Sequence, residues 1–304
     1  MRFSIYQDSL TGARQANQDR MGYCFTRDSL LMIVADGMGG HLHGEVAAQI
    51  ALQAAAATFQ AMARPALAEP AAFLDLALRR GHREILRFQH AHRLPEAPRT
   101  TIVACVVQDG LALWAHAGDS RLYWLRNGQL MARTRDHSKV QNLVDLGLVH
   151  PDDTERHPER NKVLNCLGSP FEPTVDIGGP QALQPGDRIL ICSDGVWGPM
   201  PGDELLASIC GDPIEAAVPR LVRRAVALGG EVADNATALA MSWEGEQEGA
   251  YGVSSALVPD GAITTTIAVG SPEDGEAGVD AISDDEIERT IREIREVIAR
   301  TGDR

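Results

Sequence analysis

The sequence predicts an α+β fold built on antiparallel sheets. Three features of the 304 residues lead there. Many short apolar runs are joined at hairpin spacing, long helical stretches are few, and strands do not alternate regularly with helices. Several of the runs end in an aspartate beside a glycine, so the strands deliver carboxylates at their tips.

Residues 2–8 read as a first strand, RQANQDR (14–20) as a turn, and Met21–Phe25 as a second strand. Leu30–Ala35 is a continuous apolar run, the signature of a strand buried on both faces, and Thr26–Ser29 is short enough to pair it with the strand before. Glu45–Met62 reads as an Ala-rich helix with an acid in its first turn. Pro65 and Pro70 punctuate the chain before a second helix, Ala71–His92, which ends ahead of Pro95 and Pro98. Thr100–Val107, Leu111–Ala117, Arg121–Arg126 and Gln129–Thr134 follow as short strands. Gln108–Gly110 and Asn127–Gly128 read as the turns between them, Asn-Gly being a strong hairpin signal. Ser138–Gly147 is a helix, and Val149–Asn165 is a long polar loop of the kind that often carries function. Pro173–Gly186 reads as connecting structure, Arg188–Cys192 as a strand, Asp203–Cys210 and Ile214–Leu228 as helices, and Ala236–Trp243 as the closing strand.

Beyond residue 243 the pattern breaks. Residues 244–282 are rich in Gly, Ser, Pro, Thr and acids and read as a flexible acidic linker. Ser283-Asp284-Asp285-Glu286 then forms a capping box, and Ile287, Ile291, Ile294 and Ile298 recur at 4-3-4 spacing. Residues 283–301 therefore read as an amphipathic C-terminal helix. Helices of that length are marginal alone, so it is expected to pack on the body, on a partner, or on a second copy.

Net charge is −14, of which −10 lies from Glu244 onward, leaving the body at −4. So little basic excess argues against nonspecific nucleic-acid binding. No apolar run approaches the length of a membrane helix, and MRFSIYQDS lacks a signal-peptide core, so a soluble cytoplasmic protein is expected. The five cysteines show no CxxC pairing, so neither a disulfide framework nor a structural zinc site is expected.

The aspartates carry the chemistry. Asp36 ends LLMIVAD and is followed by Gly37, Gly39 and Gly40. Asp194-Gly195 ends RILICSDG, Asp119 follows Gly118 in HAGDSR, Asp234 precedes the run Ala236–Met241, and Arg14 and Asp19 sit in RQANQDR. The chain's two lysines, Lys139 and Lys162, lie far from all of these. Carboxylates at strand tips without lysine partners suit a hard divalent cation such as Mg²⁺ or Mn²⁺. The plainer reading of each aspartate alone is a turn or cap residue.

RQANQDR, VADGMGGH, HAGDSRLY, TRDHS, HPERN with LNCLGS after it, ICSDGVW and DNATAL together resemble, in content and order, the metal-dependent protein phosphatase family. These are the type-2C serine/threonine phosphatases, in their compact bacterial branch. The likeness runs from about residue 4 to residue 243 and leaves out the tail. It implies a phosphatase domain over residues 1–243, as a four-layer α-β-β-α sandwich with two central antiparallel sheets, and a flap at about 138–168. It implies two Mn²⁺ or Mg²⁺ ions, with room for a third. Asp36 would bridge the pair, Asp194 and Asp234 would hold one ion, and the Gly37 carbonyl the other. Asp19 would lie in the metal shell, and Asp119 would bind a third, weaker ion with Asp194. Arg14 matches the phosphate-binding arginine, whose fork grips two oxygens at once. His41 would orient substrate or protonate the leaving group. Gln18 stands where many members carry Glu. Asp136-His137-Ser138 matches a motif that reads as structural. The implied partners are a phosphorylated protein substrate and a cognate bacterial Ser/Thr kinase, with neither nucleic acid nor membrane.

Rival chemistries lack their residues. There is no GxxxxGK[ST] phosphate loop, no Cys with Arg six residues on, no GxSxG elbow and no HExxH. The expectation is hydrolysis of phosphoserine and phosphothreonine by a water activated between two cations. The alternatives are a phosphoprotein-binding module of little activity and a phosphatase for a small phosphoester.

Overall fold

The computed structural model describes residues 1–38 and 43–245 and the strand segments 253–254 and 264–268. Its strands are β1 (Arg2–Leu10), β2 (Asp19–Phe25), β3 (Ser29–Asp36), β4 (Ile102–Gln108), β5 (Leu111–Ala117), β6 (Arg121–Arg126), β7 (Gln129–Arg133), β8 (Asp176–Ala182), β9 (Arg188–Cys192), β10 (Ala236–Gly245), β11 (Val253–Ser254) and β12 (Thr264–Ala268). The α-helices are α1 (Gly44–Met62), α2 (Pro70–His92), α3 (Lys139–Asp145), α4 (Asp194–Trp197), α5 (Gly202–Cys210) and α6 (Ile214–Gly229). The strands form two antiparallel sheets, ordered β11-β1-β10-β9-β6-β7 and β12-β2-β3-β4-β5-β8.

The layers follow from side-chain alternation along strands buried on both faces. In β3, Leu30, Met32 and Val34 face the other sheet, where they meet Phe3, Trp124, Ile189, Ile191 and Met241. Leu31, Ile33 and Ala35 point the opposite way, into a core shared with Ala48, Leu52 and Phe59 of α1 and Leu74 and Leu78 of α2. On the outer face of the first sheet, Leu190, Cys192, Ala238 and Ala240 pack beneath Leu221 and Val222 of α6 and Leu205 of α5. The result is helix, sheet, sheet, helix, as the resemblance implies.

Both expected turns are tight. Asp109 and Gly110, and Asn127 and Gly128, all hold positive φ, the pairing that matches the twist of a two-residue hairpin. Ser138 caps α3, its Oγ accepting from the Gln141 N–H at 3.3 Å. The loop after α3 contains a 3₁₀ turn at Pro151–Arg156.

Three differences from the sequence reading stand out. The stretch read as connecting structure holds β8, a mostly exposed edge strand whose Gly178 is required because a Cβ there would sit 2.2 Å from the Trp114 indole nitrogen. Its DIGGPQA composition carries no apolar alternation because one side faces water. Asp194 begins the short helix α4 instead of ending a strand. In the stretch read as a linker, β10 runs on to Gly245, and β11 and β12 add to the sheet edges beside β1 and β2. The C-terminal helix expected at 283–301 lies outside the described residues.

Candidate active site

Five carboxylates gather at one end of the sandwich. Asp19 opens β2 and Asp36 closes β3, directly opposite one another in the ladder. Asp119 sits on the crossover from β5 in one sheet to β6 in the other. Asp194 follows β9, and Asp234 precedes β10. The Ser193 hydroxyl ties the two sheets at this end by donating to Asp19 Oδ2 at 2.7 Å, and within its own sheet the Ser193 N–H donates to the Thr237 carbonyl at 3.0 Å. Gly195 lets the turn after β9 press on the start of β10, since a Cβ there would lie 2.0 Å from the Asn235 carbonyl oxygen. Gly37 is similarly confined, with the backbone of Gly44 2.4 Å from where its Cβ would stand.

Packing so many acids together is costly to their charge. Burial, then repulsion from Asp19, Asp194, Asp119 and Asp234, raises the Asp36 carboxyl well above the usual range. Burial, then Asp194 and Asp136, raises Asp119. Burial pushes Asp19 up to about 7, with hydrogen bonds from Thr237 and Ser193 opposing. Asp194 is pushed up to about 6 by burial and by Asp234, against a hydrogen bond with Asp36. The nearby cation is Arg14, half exposed, whose Nη2 lies 2.7 Å from Asp234 Oδ2 and which also feels Asp194 and Asp36.

This donor set fits a hard divalent cation. Asp19 Oδ1 is buried and has no hydrogen-bond partner, a state that costs free energy in a folded protein unless something positive meets it. Carboxylate and carbonyl oxygens with no competing lysine are what Mg²⁺ or Mn²⁺ select.

The structure thus brings Arg14, Asp19, Asp36, Asp194 and Asp234 together, with Asp119 near enough to act on Asp36 and Gly37 beside them. Arg14 is bound to Asp234, an ion pair the sequence does not announce. Gln18 donates its side-chain amide to Glu45 Oε2 at 2.9 Å, and its own carbonyl accepts from the Gly37 N–H. His41 lies outside the described residues. His43, just before α1, is mostly buried against Glu45 in a left-handed conformation.

Residues missed by sequence reasoning do the scaffolding. Asn235 accepts from the Gln18 N–H at 2.8 Å and donates to the Thr11 and Ala16 carbonyls, which lashes the Arg14 loop to the start of β10. Asn17 accepts from the Asp19 N–H at 3.0 Å. Asn235 stands next to Asp234 in DNATAL, and that adjacency is the one signal that pointed to it.

Among the described residues, His116, His137 and Asp176 bring three potential ligand atoms within 4.8 Å of one another. His116 Nε2 donates to the Arg135 carbonyl at 2.7 Å, which leaves its buried Nδ1 without a hydrogen-bond partner. His137 Nδ1 accepts from the Gly118 N–H at 3.2 Å, which leaves the ring proton on Nε2, 3.2 Å from Asp176 Oδ2. The two rings also stack, 4.5 Å apart and 22° from parallel, so their in-plane lone pairs do not converge.

The protein phosphatase 2C family matches residues 7–212. Serine/threonine protein phosphatase PstP of Mycobacterium tuberculosis is 34% identical over 74% of the chain, and the match takes in 42% of that relative's length. Serine/threonine phosphatase stp of Listeria monocytogenes is 30% identical over 78% of the chain and 94% of its own length. The crystal structure of the catalytic domain of PstP with two manganese ions superposes with a TM-score of 0.67 at 30% identity, covering 79% of this chain and 98% of that one.

Proposed function

The chain belongs to the protein phosphatase 2C family, and on that premise we propose that it is a divalent-cation-dependent phosphatase acting on phosphoserine and phosphothreonine in proteins. The observation that carries the reading is the convergence of Asp19, Asp36, Asp194 and Asp234 from four separate stretches, with one buried Asp19 oxygen left unpartnered. Asp36, Asp194 and Asp234 would hold the core cations with Asp19 and the Gly37 carbonyl, and Asp119 a further, weaker one. Bound there, Mn²⁺ or Mg²⁺ would lower the pKa of water and offset phosphate charge.

The chain's own residues supply the rest. Arg14, reaching over Asp234 toward Asp194 and Asp36, offers a planar fork to two phosphate oxygens. His41 is proposed to orient the substrate or protonate its departing oxygen. A protein nucleophile is not needed, and the nearest thiol is unsuited: burial drives the Cys192 thiol far above its ordinary pKa, so it stays protonated. Residues 138–168 border the site as a flap that selects substrate. Hydrolysis of this kind implies a Ser/Thr kinase that installs the phosphate. Among the described residues no helix is long and apolar enough to cross a membrane, and we place the activity in the cytoplasm.

The test is Mn²⁺-dependent turnover of a phosphothreonine peptide beside a panel of small phosphoesters. Turnover of the peptide that requires Mn²⁺ and is lost in Asp36→Asn and Asp194→Asn is expected. Folded protein that hydrolyses nothing at any Mn²⁺ concentration overturns the reading, and a preference for the small esters overturns the substrate class.

A further inference from the structure

We propose that His137 is a positioning residue for Asp119, and that Asp136 and His137 together clamp both ends of the crossover that carries it. Only the role of Asp119 as a cation ligand is taken from the phosphatase reading.

The crossover Gly118-Asp119-Ser120 is the bridge from β5 to β6, and so from one sheet to the other. At its start Gly118 holds φ +121° and presses on Thr101, whose Cβ lies 2.5 Å from where a Gly118 Cβ would stand. His137 grips Gly118 twice. Its backbone N–H donates to the Gly118 carbonyl at 2.9 Å, and its ring Nδ1 accepts from the Gly118 N–H at 3.2 Å. At the far end Arg121 forks onto Asp136, Nε to Oδ1 at 2.8 Å and Nη2 to Oδ2 at 2.7 Å. The same guanidinium stacks 3.5 Å over the Trp197 ring, and the Trp197 indole N–H donates to the Asp119 carbonyl at 3.0 Å. Ser120 and Thr101 share a hydroxyl hydrogen bond of 2.7 Å. Asp119 is thereby fixed through its own carbonyl and through both neighbours.

The ring doing the gripping is itself held. Asn165 Nδ2 lies 2.6 Å from the same Nδ1, so two N–H donors share its one lone pair, and Thr174 fixes which way Asn165 points, accepting from Nδ2 at 2.8 Å and donating to Oδ1 at 3.0 Å. The His137 carbonyl accepts from the Leu164 N–H at 2.8 Å, and Ser138 caps α3. The His137 imidazole therefore joins the Asp119 crossover to Asn165, at the C-terminal end of the 149–165 loop. A nitrogen acceptor at Nδ1 is what the position requires: without it the Gly118 N–H loses its partner and the crossover its register.

The experiment titrates Mn²⁺ into the full chain by calorimetry and follows hydrogen exchange at residues 117–121. We expect His137→Ala to weaken the weakest class of Mn²⁺ sites about tenfold, to leave the tighter sites within twofold, and to speed exchange at 117–121. His137→Gln, which keeps an acceptor, should recover part of the affinity. In an Asp119→Ala background His137→Ala should change cation binding no further. If His137→Ala does not fold, Asn165→Ala, which removes one donor to the ring, should show the same pattern at about threefold. Unchanged Mn²⁺ affinities with a lowered Tm, or an effect that adds to that of Asp119→Ala, overturn the proposal. Wild-type chain that binds Mn²⁺ but hydrolyses no phosphopeptide defeats the phosphatase reading alone. Wild-type chain that turns over while His137→Ala binds as it does defeats the clamp alone. Wild-type chain that binds no Mn²⁺ defeats both.

Discussion

A buried aspartate that would be more stable without its charge reveals its purpose when that charge is removed. Asp36 and Asp194 are both held in surroundings that oppose ionisation. Asp36→Asn should therefore stabilise the cation-free protein, by about 1 kcal/mol or more and about 2–4 °C in Tm, while abolishing the rise in Tm that Mn²⁺ produces in the wild type. Scanning calorimetry with and without Mn²⁺ checks both halves; an Asn variant that melts lower without cation counts against the electrostatic account. The pH dependence has a defined sign. Asp19 and Asp194 have folded pKa values raised above the unfolded 3.8, to about 7 and about 6. Their stabilising contribution is complete below the unfolded value and is lost as pH rises through the folded ones. Cation-free Tm should fall between about pH 4 and 7, and the shift produced by saturating Mn²⁺ should grow over the same window. A cation-free Tm that is flat or rising there would contradict this. Asp36, Asp119 and Asp194 are legible in sequence because each follows an apolar run, and Asp234 because it precedes one, whereas Asp19 stands out only within the motif RQANQDR. Their supports are not legible: Ser193 reaches Asp19 across 174 positions, and Asn235 reaches Gln18 across 217. Nothing local in a hydroxyl or an amide says which distant segment it will hold.

Among the elements, the turn after β9 shows how closely the site depends on backbone approach. Gly195→Ala forces a methyl against a carbonyl that belongs to the start of β10, so Asp194 and Asp234 must separate. The cost should reach about 3 kcal/mol, the upper end for overpacking, with Mn²⁺ response lost. Gly128→Ala is the control: it sits at φ +77° in a hairpin with open space around it, and should cost about 1 kcal/mol with turnover unchanged. Urea titrations and turnover of both variants decide the matter, and equal effects would remove the argument. Strands buried on both faces, such as β3 and β9, announce themselves as unbroken apolar runs. Edge strand β8 does not, because water on one side leaves its composition to glycine, proline and polar residues. α1 and α2 were readable from length and punctuation, whereas four-residue α4 is too short to show any period.

For the molecule as a whole, the three apolar cores seen among the described residues are built from residues within 1–245. A chain ending at Gly245 should keep kcat/KM on the phosphothreonine peptide within about twofold, lose a few degrees in Tm with the edge strands β11 and β12, and shed most of the net negative charge. A tenfold change in either direction would show that the tail belongs to the catalytic cycle. The carboxylates that meet at the site come from both sheets, Asp19 and Asp36 from one, Asp194 and Asp234 from the other. A cation gripped by both sets would act as a rivet between two half-shells. Filling the site should then stiffen the seam at that rim far more than the opposite end, so that a bound ion would double as a mechanical fastener and its loss would let the shells gape at that end.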